Sequence, residues 1–567
     1  MKRMLFYSSL VFIYVTASLL QSSYLLHQDV SSFTEWAARL LEHGSYANNF
    51  FETNPPLIIY LSIPPVLFAK YFSINMVMAT RFYIFSLASL SLFICYHLSR
   101  PIFSSQDNLL RQVFLLVLAF VFLILPLPSF GQREHLVVFL SMPYVLMLAA
   151  RMQGYSNFAL AILIGIMAGF AFAFKPFFLV TPLLIELYYA YCKRSIFACL
   201  RVETVTMEIC IVIYLIIMLL FHPDYFTVII PFIYRYYYAG ISQPLTLMML
   251  FPPSLLCWTV LVYYFTQAAK IKYTCLTSLL FIEFLSFLIA YLCGRTVWYY
   301  HVLPVYSLAI ILFSYLWMEQ IYRADTTRHD YLYQAICALL LCYSMMTCYF
   351  YWYVPPLLIL ASCVSIFYLL IFIAVYFMKW KKLSCMLTLT LGLMFSIIPL
   401  FFSITLHQQA VVLKKATIPM LDFLSTHAKN KSVYYLSTNA LYARPLVDMA
   451  HAKSASRFPF LWMLPGMTAK TQTNTSQLNQ DKALLAEMIC NDIKNNEPAY
   501  IFVDISKDQI GISKPINYMT YFGGYACFQQ TWKNYRFQST INIAAMLSFY
   551  PQVTYQIYER KINHDGS

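Results

Sequence analysis

Side chains able to do chemistry gather at four places in the otherwise apolar sequence of this 567-residue chain, with Arg81 apart from them. The stretch 26–55 carries Asp29, Glu35, Glu42 and Glu52. A second is Pro128-Ser129-Phe130-Gly131-Gln132-Arg133-Glu134-His135, a third Phe174-Lys175-Pro176, and a fourth Gly294-Arg295-Thr296-Val297-Trp298-Tyr299-Tyr300-His301. Asp29, Glu52 and Glu134 could act as a base or orient a hydroxyl. Arg81, Arg133, Lys175, His135 and His301 supply positive charge, which suits a phosphate or pyrophosphate through charge-assisted hydrogen bonds. With apolar walls around them, the natural ligand is a lipid chain ending in a phosphate. A carboxylate beside that phosphate could deprotonate an attacking hydroxyl while the cations stabilise the departing lipid phosphate.

The elements that must position these groups are membrane spans. The composition is 60% hydrophobic and 11% charged, which excludes a single water-soluble core. A net charge of +14 would suit nucleic acid, but most Lys and Arg stand at the ends of apolar segments, as the positive-inside pattern requires, so no nucleic-acid partner is expected. Hydropathy gives about thirteen crossings, at 4–25, 76–98, 111–128, 134–150, 157–174, 177–192, 204–221, 246–267, 273–292, 299–318, 331–349, 354–378 and 384–405. The first follows Lys2 and Arg3 without a signal-type cleavage site, so it reads as a retained span with a cytoplasmic N-terminus. The segment 56–72 is apolar but short and interrupted by Pro64-Pro65, and reads as a juxtamembrane helix on the exported face. With that choice, fifteen Lys and Arg lie in cytoplasmic ends and loops and six in exported loops. Treating 56–72 as a crossing would invert that balance. Ionisable groups at membrane depth cost about 2.5 to 3.5 kcal/mol on insertion scales, so those at the four places, all on the exported side, are expected to face one another or a polar cavity.

From about 406 the composition turns polar. Val433 to Leu436, Tyr500 to Val503 and Val553 to Tyr558 read as strands, and 481–495 as a helix. The expectation is a transmembrane domain over 1–405, with an exported loop 26–75 holding juxtamembrane helices, and an α/β periplasmic domain over 406–567. The stretch 466–480 reads as a flexible loop. Cys490 and Cys527 are alone in the tail and could pair if it is exported. No metal-type cysteine spacing occurs; no cofactor is called for, and a divalent metal is neither required nor excluded.

The pattern His27-Gln28-Asp29, then 33–42, then Phe51-Glu52-Thr53-Asn54-Pro55-Pro56-Leu57, resembles the GT-C superfamily of membrane glycosyltransferases. The likeness is to the branch with protein O-mannosyltransferases and the aminoarabinose transferase of lipid A, in which an acidic residue follows the first span and an F-E-x-P or H-P-P element leads into a juxtamembrane helix. Asn54 stands where relatives have Lys or His, and Gly131-Gln132-Arg133-Glu134-His135 where they have an L-D-P type motif. The resemblance implies a polytopic α-helical, GT-C-like fold in the bacterial inner membrane. It implies a polyprenyl-phosphate sugar donor, a lipid, glycan or protein acceptor on the periplasmic side, contact with membrane lipids, and Asp29 as general base of an inverting transfer. The remaining expected ligand contacts are Glu52, Arg81, Arg133, Glu134, His135, Lys175, Tyr300 and His301.

Blander roles compete. Asp29 could cap a helix starting near Ser31 or Ser32, Glu35 and Glu42 read as a solvated helix face, Arg81 could snorkel, and 457–462 could pack on the membrane portion. The rival functions are a secondary transporter, which predicts a polar midplane site between repeats, and a non-catalytic envelope assembly protein.

Overall fold

The computed structural model describes residues 2–267, 271–323, 417–469, 475–543 and 552–561, with Lys415; the expected crossings at 331–349, 354–378 and 384–405 lie outside them. The chain divides into two compact units, one of Met1–Tyr24, Arg81–Leu215 and Gln243–Gln409, the other of Leu25–Thr80, Ile216–Ser242 and Ala410–Ser567.

The first unit is helical. Among the described residues, seven helices are long and apolar enough to cross a membrane: Met4–Ser23, Met76–Ile102, Ser105–Leu123, Arg133–Met152, Val202–Phe221, Thr274–Gly294 and Tyr299–Gln320. Each answers an expected crossing. Three others fall on shorter helices, Phe158–Ala173, Val180–Lys193 and Pro252–Gln267. Pro176 opens a separate turn before the second of these, and Pro252 starts the third. Helix packing here uses small residues. A Cβ on Gly165 would stand 2.6 Å from the Glu203 carbonyl oxygen, and one on Gly169 2.7 Å from Cys210 Cβ, so this small-xxx-small face lets two backbones approach. Charge is neutralised in place: Arg151 pairs with Glu203 at 2.9 Å, and Arg201 with Glu186 at 2.6 Å and Glu203 at 3.0 Å.

The second unit is built on a five-stranded sheet, with β1 Ser432–Leu436, β2 Lys453–Ser454, β3 Tyr500–Asp504, β4 Tyr535–Ile543 and β5 Val553–Arg560. The order is β2-β1-β3-β5-β4, with β1 parallel to β2 and β3, and β5 antiparallel to β3 and β4. Every residue of β3 is buried, as befits a central strand. The helix Thr475–Asn496 starts six residues earlier than 481, and Leu464–Thr468 is helical, so much of the expected loop at 466–480 is ordered helix; 470–474 lie outside the described residues. Cys490 and Cys527 form a disulfide with Cα atoms 6.0 Å apart.

Two further stretches complete this unit. The segment 56–72 forms two short helices, Leu57–Leu61 and Ile63–Phe72, broken at Ser62. Residues 216–242 pack on the tail: Arg235 Nη2 lies 3.1 Å and Tyr236 Oη 2.5 Å from the Asp481 carboxylate. Gly466 meets Tyr236 so closely that a Cβ would stand 2.0 Å from its carbonyl oxygen, so only glycine fits.

Candidate functional site

In the helical unit, three of the four chemistry-bearing stretches converge on Glu134. This residue occupies the first turn of Arg133–Met152, where an anion meets the positive end of the helix. Lys175, in the turn before Pro176, donates its ammonium to Glu134 Oε1. His301, in the first turn of Tyr299–Arg323, places Nε2 3.6 Å from that oxygen and 3.4 Å from Lys175 Nζ. Arg133 Nε is 3.9 Å from the other carboxylate oxygen. The Thr296 hydroxyl bonds His301 Nδ1 and fixes the ring, a role the sequence did not single out.

Charge and exposure in this cluster are graded. Glu134 and Arg133 are almost wholly buried, whereas the side chains of Lys175 and His301 are 18% and 12% exposed and form the open side. Two permanent cations against one carboxylate leave a net positive charge, which is the balance an anionic ligand needs. The Tyr300 ring lies 4.4 Å and the Trp298 ring 5.5 Å from His301, giving an aromatic wall.

His135 belongs elsewhere. Its Nδ1 accepts from the Gly131 amide at 3.0 Å and its Nε2 donates to the Phe122 carbonyl at 2.7 Å, so both nitrogens are committed to backbone. One residue on from Glu134 in a helix is about 100° around the axis, and that turns His135 into the loop it braces instead of toward a ligand. Arg81 donates Nη2 to the Tyr24 carbonyl at 2.6 Å, tying the first span to the second.

In the other unit, Asp29 lies in the first turn of Gln28–Leu41. The helix begins earlier than a start near Ser31 would have it, and the capping acceptor is His27, whose Nδ1 receives the Asp29 amide at 3.2 Å. The Asp29 carboxylate is therefore not the cap; it lies 4.0 Å from His27 Nδ1 and its side chain is 21% exposed. Glu52 is buried and organises the turn before Pro55-Pro56, accepting from the Asn54 amide at 3.0 Å and Trp36 Nε1 at 3.3 Å. The Asn54 side chain also donates to Glu52, so this residue supports the turn. His222, also unforeseen, is buried against Tyr60 and Tyr46, and Tyr225 donates to the Thr53 carbonyl at 3.1 Å.

Glu35 departs from the solvated face expected of it. Its carboxylate is held between Arg39, at 2.5 Å, and Arg444. Burial opposes its charge, but the two guanidiniums outweigh that and hold it below the usual glutamate range. The nearby Asp448, which accepts from Ser31 Oγ, is pushed up to about 6 by burial and by the charge of Glu35. Arg457 pairs with Asp492 at 2.8 Å and donates to the Ala47 carbonyl at 2.6 Å. Among the described residues, no cluster of three or more His, Cys, Asp or Glu is arranged to hold a metal.

A multi-pass helical membrane unit and a small mixed-sheet unit make up a fold that this chain shares with known structures. Two solved structures show it: ArnT from Cupriavidus metallidurans bound to undecaprenyl phosphate (14% identity, 98% of this chain and 97% of that one, TM-score 0.50), and the same protein in the apo state (12%, 96% and 97%, 0.53). At these identities the likeness is one of fold. No protein-family model and no curated protein matches the sequence.

Proposed function

We propose that this protein transfers a sugar from a polyprenyl-phosphate carrier to a lipid, glycan or protein acceptor on the periplasmic side of the bacterial inner membrane. The observation that carries the reading is the convergence of Lys175, His301 and Arg133 on Glu134, in a chain with the fold of a protein solved with undecaprenyl phosphate. Lys175 and His301, on the open side of the cluster, hold the donor phosphate and stabilise the charge that grows on it as the sugar leaves. Glu134 keeps the cations in place. Asp29 takes the proton from the acceptor hydroxyl, and direct attack inverts the anomeric centre. Glu52 shapes the Pro55-Pro56 turn, Tyr300 lines the cationic cluster, and Arg81 braces two spans.

The N-terminus is assigned to the cytoplasm and the tail to the periplasm, with the functional division near residue 405. The Cys490–Cys527 disulfide supports an oxidising compartment for the tail. A midplane transport site is less favoured because the Glu134 cluster gathers at helix ends. The test is lipid mass spectrometry on a deletion strain complemented with the wild type or with Asp29→Asn. Loss of the gene should leave an accumulated polyprenyl-phosphate sugar and a surface glycan lacking one unit, and Asp29→Asn should not restore it. Unchanged carrier and glycan pools would overturn the proposal.

A further inference from the structure

The helix that carries Asp29 is fixed along one side by the C-terminal tail, within the same compact unit. Ser31, Glu35 and Arg39 follow at intervals of four and so form one stripe. Ser31 donates to Asp448, Glu35 accepts from Arg444, and Arg39 donates to the Ser454 carbonyl at 2.6 Å and the Ser456 carbonyl at 3.0 Å. The guanidiniums of Arg39 and Arg444 lie 4.8 Å and 4.9 Å from the centre of the Trp36 ring. Arg444 is 1% exposed and Trp36 0%, while the Glu35 and Arg39 side chains are 15% and 19% exposed, so these bonds form on a largely buried face.

Asp29 precedes Ser31 by two residues, which is roughly 200° around a helix at 100° per residue. By the same count, taken the shorter way round, Asp29 stands about 160° around the axis from Ser31, about 120° from Glu35 and about 80° from Arg39, so its carboxylate lies off the fixed stripe on the same helix. Apolar packing alone holds a helix against its neighbour but resists rotation about its own axis weakly. Directional, charge-assisted bonds on three successive turns resist it strongly. A rotation of about 20° at a side-chain radius of about 5.5 Å moves a carboxylate by about 2 Å, and a misplacement of about 1 Å can cost a reaction about 100-fold.

We propose that Arg444 and Asp448 are positioning residues for the transfer reaction: they set the rotation of Gln28–Leu41 and so aim the Asp29 carboxylate at the acceptor hydroxyl. This makes the tail a working part of the reaction centre, and it rests on Asp29 being the base.

The experiment uses the full chain with Arg444→Gln and Arg444→Lys, beside Asp29→Asn. Three quantities are read: the glycan unit restored in the deletion strain, hydrogen exchange of the purified protein, and its affinity for undecaprenyl phosphate. Arg444→Gln should lower transfer 10- to 100-fold and speed exchange over 28–41 at least tenfold. It should leave β1, β3 and β5 protected and undecaprenyl phosphate affinity within twofold of wild type. Arg444→Lys, which keeps the charge on Glu35, should recover a third or more of the transfer. Transfer within twofold of wild type for Arg444→Gln, a loss of protection across the whole sheet, or no recovery with lysine would each overturn the inference. Should Arg444→Gln fail to accumulate, Ser31→Ala with Asp448→Asn removes a bond without stranding a buried charge, and should lower transfer several-fold with the same exchange signature. An active Asp29→Asn would refute the base assignment whatever Arg444 does. An inactive Asp29→Asn beside a fully active Arg444→Gln would refute the positioning role alone.

Discussion

The disulfide offers a test of stability and of topology together. It joins Cys490, buried near the end of Thr475–Asn496, to Cys527 on Ala526–Trp532, across a separation of 37 residues. Closing a loop of that length removes about 13 cal/mol/K of entropy from the unfolded tail in the chain-entropy treatment, or about 4 kcal/mol at 25 °C. The double substitution Cys490→Ser, Cys527→Ser should therefore raise the open fraction of the tail by between two and three orders of magnitude, at about 1.4 kcal/mol per factor of ten. Native-state proteolysis of the full chain, with cleavage sites mapped to the tail, reads that fraction directly. A change below tenfold would refute the loop-entropy reasoning. The same pair reports compartment. In intact cells without reductant, a thiol-specific polymer maleimide should leave Cys490 and Cys527 unlabelled and label both after reduction. Labelling of both before reduction would remove the support the disulfide gives to a periplasmic tail.

Two further outcomes follow from the charge distribution. Lys175→Met removes the closest cation from Glu134 and half the permanent positive charge of the cluster, so undecaprenyl phosphate affinity should fall at least tenfold, whereas Lys175→Arg should retain most of it; equal affinity for wild type and Lys175→Met, by titration of the purified protein, would count against phosphate binding there. For pH, Asp448 has a folded value near 6, above that of an unfolded aspartate, so the folded state holds the proton more tightly and stability declines as pH rises from about 4 to about 6. Glu35 is shifted the other way, so its contribution is present above the ordinary glutamate range and is lost only at lower pH. Thermal unfolding of Asp448→Asn should show a shallower decline between about pH 4 and 6, the remainder belonging to Asp492, which burial also pushes up to about 6, and should keep the acid loss.

The sequence disclosed what is set by local cost and hid what is set by distant partners. Lys175, Glu134 and His301 were legible because an ionisable group among apolar residues is expensive unless it meets another, and three such groups at matching helix ends had few other places to go. β1, β3 and β5 were legible because their runs are buried and rich in β-formers, whereas β4, YRFQSTINI, lies at the sheet edge with most of its residues exposed or half-buried and reads as polar chain. Residue type also said nothing of direction: His135 had the chemistry of a ligand contact, but helix geometry turned it onto the backbone of its own loop. Glu35 shows the deeper reason. On a helical wheel it belongs to a polar stripe, and nothing nearby contradicts solvent, because its second partner, Arg444, lies 409 residues along the chain. A stripe of Ser, Glu and Arg has the same composition whether it faces water or a buried array of carbonyls, carboxylates and guanidiniums. Only the tertiary partner decides, and here that partner lies in a tail whose sequence resembles an appended module but which shares one compact unit with the helix bearing Asp29.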